Sequence, residues 1–200
     1  MKLHQTLSAL GLVVVSATAA AVPVTLTDVN AEWTGWTGGV NVKTYDTDSN
    51  GSKDEIRWGT HSKKANNSGY QFLGAAGLPA TFDSSESFVL GKFTHYNNPI
   101  AEGQAITGAQ LSVSTALSIL GDDILDGPYT FNFLHNETAN NAPECALWFF
   151  VCLKWTATGA VPDYVTLDNA IVSNEFFAGG YAFSMEILGF GNLTTQTLTL

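Results

Sequence analysis

Two stretches of the chain set a histidine two residues after a phenylalanine, just before a polar turn. The first is FTHYNNPI, residues 93–100, and the second is YTFNFLHNET, residues 129–138. Strand residues two apart share a face, so Phe93 points with His95, and Phe131 and Phe133 point with His135. Asn97 and Glu137 continue those faces. If the two strands are neighbours, His95, Asn97, His135 and Glu137 converge at the rim of the core, with Thr94 and Thr138 beside them.

Two uses of such a group follow. Its side chains can hydrogen-bond the turn backbones and hold the loops, since buried backbone groups need partners. Alternatively, two imidazoles and a carboxylate can take a metal, and zinc accepts that donor set. Hydrolytic chemistry of other kinds fits less well. The chain has no G-x-S-x-G elbow to present a nucleophilic serine. It also has no strand with alternating acidic residues to supply a glycosidase's carboxylate pair.

A second constellation is DTDSNGSKDEIRWG, residues 46–59. Asp46, Asp48 and Asn50 stand at positions 1, 3 and 5 of a calcium-loop pattern. Gly51 is at position 6, Ser52 at 7 and Asp54 at 9. Position 12 is Arg57 rather than glutamate, so Glu55 is the substitute ligand. The flanks read as strands, not as EF-hand helices. Equally, Asp, Asn, Gly and Ser are the ordinary residues of an acidic hairpin loop.

The aromatics form a third group: Trp33, Trp36, Trp58, Trp148, Phe149, Phe150 and Trp155. A sandwich must fill two inner faces, so most of them are expected in the core. Alternation turns Phe149 away from Trp148 and Phe150. Trp148 and Phe149 are therefore the candidate glycan contacts.

The elements that must position these groups read as strands. Short alternating segments separated by turn residues run through 24–29, 32–45, 55–59, 69–74, 87–96, 109–120, 127–135, 146–155, 163–167, 179–190 and 194–200. The best helical candidate is a short turn within 116–127. Strands at regular spacing without helical interludes predict one all-β domain, an antiparallel β-sandwich, jelly-roll-like, over 22–200. The 23 aromatic residues and 45% hydrophobic content exclude a disordered chain.

Residues 1–21 read as a secretory signal. Lys2 is the positive start, Leu7 to Val15 the apolar run, and 17–21 the small-residue cleavage region. The competing reading is an N-terminal membrane anchor, for which the run is short. Without Lys2 the remaining chain carries 7 basic and 18 acidic residues. Nucleic acid is a poor partner for that charge, and divalent cations are better ones. No membrane span is expected in the mature chain. In an oxidising compartment Cys145 and Cys152 are most simply one disulfide, contributing about 2–3 kcal/mol on the chain-entropy account.

At these same residues the chain resembles a known group. Thr94-His95-Tyr96-Asn97 matches a T-H-x-N signature. Phe133, His135, Glu137, Thr138 and Asn140 match a Phe-x-His-x-Glu-Thr-x-Asn run. EIRWG and YAFSMEILGF also fit the pattern. The group is the THxN family of PEP-CTERM proteins, similar in look to choice-of-anchor exported domains. The resemblance spans about Trp33 to Phe190. It implies a bacterial protein exported and sorted to the cell surface by an exosortase system. The family's C-terminal anchor, a Pro-Glu-Pro with an apolar span and an Arg cluster, is not in these 200 residues. That implies a chain cut before its anchor, or one released. The family sets its second cysteine directly before an Asp-x-Val stretch. Here Val161-Pro162 precedes Asp163-Tyr164-Val165, and Cys152 lies well upstream.

The expectation is therefore a secreted, non-enzymatic surface or matrix protein with a structural or adhesive role. Calcium is its candidate cofactor, and polysaccharide or like subunits are its candidate partners. A carbohydrate-binding module is the alternative. A metal-dependent hydrolase built on His95, His135 and Glu137 is the third reading.

Overall fold

The computed structural model describes residues 5–12, 21–138, 147–148, 151–152, 163–168, 175–192 and 197–198. In chain order the first strands are β1 (Gln5–Leu12), β2 (Pro23–Gly38), β3 (Lys43–Tyr45), β4 (Glu55–Trp58) and β5 (Ser68–Gly74). Next come β6 (Ala80–Asp83), β7 (Ser87–Tyr96), β8 (Ile106–Ile119) and β9 (Asp122–Asn136). The later elements are β10 (Leu147–Trp148), β11 (Val151–Cys152), β12 (Tyr164–Leu167), β13 (Phe176–Ala178), β14 (Tyr181–Phe183), β15 (Glu186–Asn192) and β16 (Thr197–Leu198). One 3-10 turn, Lys64–Asn66, is the helical element among the described residues.

Two antiparallel sheets make the body, as alternation predicted. One has the order β16-β15-β1-β7-β5-β4-β3, and the other β12-β9-β8-β2-β6. The chain crosses between them from β2 to β3, β5 to β6, β6 to β7 and β7 to β8, the winding of a jelly-roll-like sandwich.

Alternation explains the core. On β9 Tyr129, Phe131, Phe133 and His135 are buried in strict alternation. On β7 Phe93 and His95 are buried in phase, and Phe88 and Leu90 join them because an irregularity between Phe88 and Gly91 shifts the phase. Phe93 and Phe133 stack across the sheets, with centroids 5.3 Å apart and planes 11° apart. Trp33 joins them, 5.5 Å from Phe133. Gly91 keeps the sheet tight beside this stack. A Cβ there would stand 2.4 Å from the tip of Phe72 and 2.5 Å from the Leu73 carbonyl.

Several boundaries differ from the sequence expectation. Segments 24–29 and 32–45 are not separate strands: β2 runs unbroken to Gly38, absorbing register shifts at 26–28 and 33–35. The helical candidate 116–127 is a β-hairpin, because Leu120 and Gly121 adopt φ of 54° and 90° and turn the chain directly into β9. The expected single strand 146–155 appears as β10 paired with β11, Leu147 opposite Cys152. Segment 179–190 divides into β14 and β15. β6 was not anticipated. Of the predicted core tryptophans Trp33 and Trp58 are buried, whereas Trp36 lies 45% exposed near the end of β2. Residues 5–12, inside the expected signal, lie as β1 between β7 and β15. Cys145, Phe149, Phe150 and Trp155 lie outside the described residues, and the Cys145–Cys152 disulfide with them.

Candidate functional site

The two Phe-x-His segments are not neighbours in one sheet. β7 carries His95 in one layer and β9 carries His135 in the other. They meet face to face across the sandwich, with ring centroids 5.7 Å apart and planes at 88°. Both rings are buried, at 3% and 5% exposure. The shared-face argument from alternation therefore holds, while the pairing is between layers.

Tyr70 completes the link. Register sets it opposite His95 on β5, and it is fully buried. Its hydroxyl lies 2.5 Å from His135 Nδ1. Trp58 stands edge-on to His135, with centroids 5.3 Å apart.

Carboxylates enter from two directions. Glu137 follows β9, and its Oε2 is 3.1 Å from His135 Nε2. Asp163 stands directly before β12, which pairs with β9 through Tyr164 opposite Asn136. Asp163 Oδ1 accepts the Thr138 backbone N–H at 2.9 Å. Its Oδ2 lies 3.5 Å from His95 Nε2, and neither atom has a hydrogen-bond partner. One ligand atom each from His135, Glu137 and Asp163 fall within 4.8 Å of one another. A cleft of about 410 Å³ borders the group, lined by His135 and Glu137 together with Ile100, Glu102 and Thr107.

Burial sets the charge state. Loss of water, and then the neighbouring His135, lower the His95 pKa to about 4. Burial raises Asp163 to about 6, against the Thr138 hydrogen bond that lowers it. Burial, with Asp163 and Glu137 adding to it, pushes the Tyr70 hydroxyl well above its usual 10. At neutral pH His95 is thus a neutral imidazole, and its contact with Asp163 is not an ion pair.

Some expected members stand elsewhere. Thr94 is one residue out of phase with Phe93 and His95, so it belongs to the opposite face of β7. The turn after β7 is held by Ser68 and Asn98, with His61 Nε2 3.3 Å from the Pro99 carbonyl. Ser68 Oγ donates to the Asn98 carbonyl at 2.8 Å, and Asn98 Nδ2 donates to the Asn67 carbonyl at 2.8 Å. Asn97 follows β7, half-buried. Asp163 and Tyr70 were not foreseen. For Asp163 the available signal was its place in Asp-x-Val, as the first residue of the predicted strand 163–167.

The acidic loop brings Asp46, Asp48 and Asp54 together, each giving an oxygen within 4.8 Å of the others. The same carboxylates also accept hydrogen bonds from the loop itself. Asp46 accepts the Ser49 and Gly51 N–H groups at 2.7 and 3.0 Å, and Asp54 accepts from the Thr47 N–H at 2.7 Å and from its hydroxyl. Asn50 donates to Asp48 at 2.9 Å and accepts the Ser52 N–H at 2.7 Å. Hydrogen bonds from the loop's own backbone lower the Asp46 pKa against a raising desolvation effect. Glu55 is not a substitute calcium ligand. It lies on the far face of β4 from the core, 2.7 Å from Arg57 Nε and 3.0 Å from Lys64 Nζ. Arg57 stacks 3.5 Å over the Tyr96 ring. The loop closes on the core through backbone: Asp54 O accepts Trp33 Nε1 and the Phe72 N–H, both at 2.9 Å.

The outer face of the five-stranded sheet is polar at its centre, with Glu32 opposite Ser112 and a run of amide and hydroxyl side chains beside it. Thr34 Oγ1 donates to Gln110 Oε1 at 3.1 Å, and Gln110 Nε2 donates to Asn132 Oδ1 at 3.1 Å. Tyr164 and Leu134 stand at its β12 edge, 74% and 50% exposed. Trp148 is placed by backbone in β10, and the glycan pair with Phe149 lies outside the described residues.

No family model and no curated protein matches this chain.

Proposed function

We propose that this is an exported bacterial β-sandwich of the cell surface or extracellular matrix, structural or adhesive rather than enzymatic. The THxN PEP-CTERM resemblance and the secretory character of residues 1–21 support the location. The observation that carries the role is the inward direction of the signature side chains. His95 and His135 meet between the layers, where Tyr70 binds His135 across the sandwich. Side chains used in this way cross-tie two sheets and stiffen a module that bears load. Asp46, Asp48 and Asp54, whose oxygens lie within 4.8 Å of one another, are the candidate ligands for a stabilising calcium ion. The test is fractionation of a producing bacterium, with N-terminal sequencing of the recovered protein. The reading expects the protein in the matrix or medium with residues 1–21 removed. Recovery from the cytoplasm with Met1 or Lys2 at its start overturns it. Removal of residues 1–21 also takes β1 from between β7 and β15, which frees those edges for a like subunit.

A carbohydrate-binding module is the second reading. The Thr34–Gln110–Asn132 ladder with Tyr164 at its edge supports it, since flat amide and hydroxyl arrays beside an exposed ring suit sugar hydroxyls and faces. Retention on immobilised polysaccharide, lost in Tyr164→Ala, is its test. Equal retention of wild type and variant removes that face from consideration.

A further inference from the structure

We propose that His95, His135, Glu137 and Asp163 bind one divalent transition-metal ion, with zinc as the reference ion, and that this ion clamps the two sheets together. The proposal deepens the cross-tie reading above and rests on it.

Three observations converge. The first is the donor set: two imidazoles and two carboxylates with no thiolate, an N/O combination that first-row divalent ions accept. The second is distance. Ligand atoms of a tetrahedral zinc at about 2.0–2.1 Å stand about 3.3–3.4 Å apart. His95 Nε2 to Asp163 Oδ2 is 3.5 Å, and His135 Nε2 to Glu137 Oε2 is 3.1 Å. Two imidazoles on one such ion place their ring centroids about 5 Å apart, and these two are 5.7 Å apart. The third is the pair of orphans. His95 Nε2 and Asp163 Oδ2 are buried, face each other, and have no hydrogen-bond partner. A buried polar atom without a partner is costly, and one cation satisfies both.

The surroundings supply what a metal site needs beyond its ligands. Tyr70 Oη holds His135 at Nδ1, which fixes the ring and leaves its Nε2 for the ion. The Thr138 N–H steadies Asp163 through Oδ1 and leaves Oδ2 for the ion. The cleft lined by His135 and Glu137 is an entry path. His135, Glu137 and Asp163 already offer atoms within 4.8 Å of one another, and His95 joins that group through its Nε2, 3.5 Å from Asp163 Oδ2.

The experiment uses the full chain. Metal content is measured on protein purified without chelator, and chelator-stripped protein is then titrated with zinc chloride alone. The expected result is one zinc per chain and a higher melting temperature on zinc addition. Glu137→Gln and Asp163→Asn should keep the strand circular-dichroism signal and lose zinc affinity at least about tenfold. Asp48→Asn, in the acidic loop, should bind zinc like wild type. Absence of zinc binding overturns the proposal, as does binding undiminished in both site variants or a loss that follows Asp48→Asn. Should the site variants misfold, cobalt(II) in wild type decides: intense visible absorption of four-coordinate cobalt supports the site, and its absence sinks it. Failure here with the protein still in the matrix fraction removes the metal and leaves the export reading intact.

Discussion

Tyr70 and His135, 65 residues apart in sequence and in different sheets, meet at 2.5 Å through Oη and Nδ1. That contact joins β5 to β9 through the middle of a stacked aromatic core. It also orients the imidazole, so the ring's other nitrogen faces Glu137.

Tyr70→Phe keeps the ring and deletes the bond. His135 Nδ1 is then buried without a partner. A loss of about 1–3 kcal/mol in unfolding free energy is expected, measured by denaturant titration. A change below about 0.5 kcal/mol, the usual range for inert surface substitutions, means that the cross-sheet bond does not stabilise the fold.

Gly91→Ala should destabilise by about 1–3 kcal/mol, the usual penalty for overpacking. The added Cβ meets the Phe72 ring tip and the Leu73 carbonyl at 2.4 and 2.5 Å, and the backbone contact cannot swing away. An unchanged melting temperature would show that β5 and β7 have room to part.

Glu55 and Arg57 are both buried, at 3% and 6% side-chain exposure. Glu55→Gln leaves the guanidinium without its counter-charge, and about 3–5 kcal/mol should be lost. The double change Glu55→Gln with Arg57→Met should recover part of that loss. If the double variant is less stable than the single one, Arg57 stabilises through its stack on Tyr96 more than through the pair.

Asp126 gives a pH signature. Burial raises its pKa, against the lowering hydrogen bonds from Tyr129 and Gly127. The folded state therefore binds this proton more tightly than the unfolded chain. That stability is present at low pH and is lost as pH rises through the folded pKa. Asp126→Asn removes the charge and keeps one oxygen to accept the Gly127 N–H, while its NH2 faces the Tyr129 hydroxyl oxygen, which can accept from it. It should raise the melting temperature at pH 7, with the gain shrinking as the carboxylate titrates toward acid. An equal gain at all pH values would assign the effect to something other than charge.

Much of the fold was legible because its signal is local. Period-two alternation located β4, β5, β7, β9 and β12 within a few residues and put Phe93, Phe131 and Phe133 inside. It failed at 116–127, where the short Asp-rich stretch hid a tight turn at Leu120-Gly121. Glu55 was misassigned for a related reason. The calcium-loop spacing ignored that β4 alternation turns Ile56 and Trp58 inward, so Glu55 and Arg57 lie together on the other face.

What the sequence alone determined is which side chains share a strand face. His95 had to travel with Phe93, and His135 with Phe133, because successive Cβ atoms alternate across a pleat whatever the strand's neighbours are. Which layer each strand joins, and what arrives from far along the chain, belonged to the tertiary structure. The two imidazoles oppose each other only because β7 and β9 lie in different sheets, and Asp163 reaches them only because β12 pairs with the end of β9. Those pairings depend on the burial of all the strands at once, and no short window of residues contains that information.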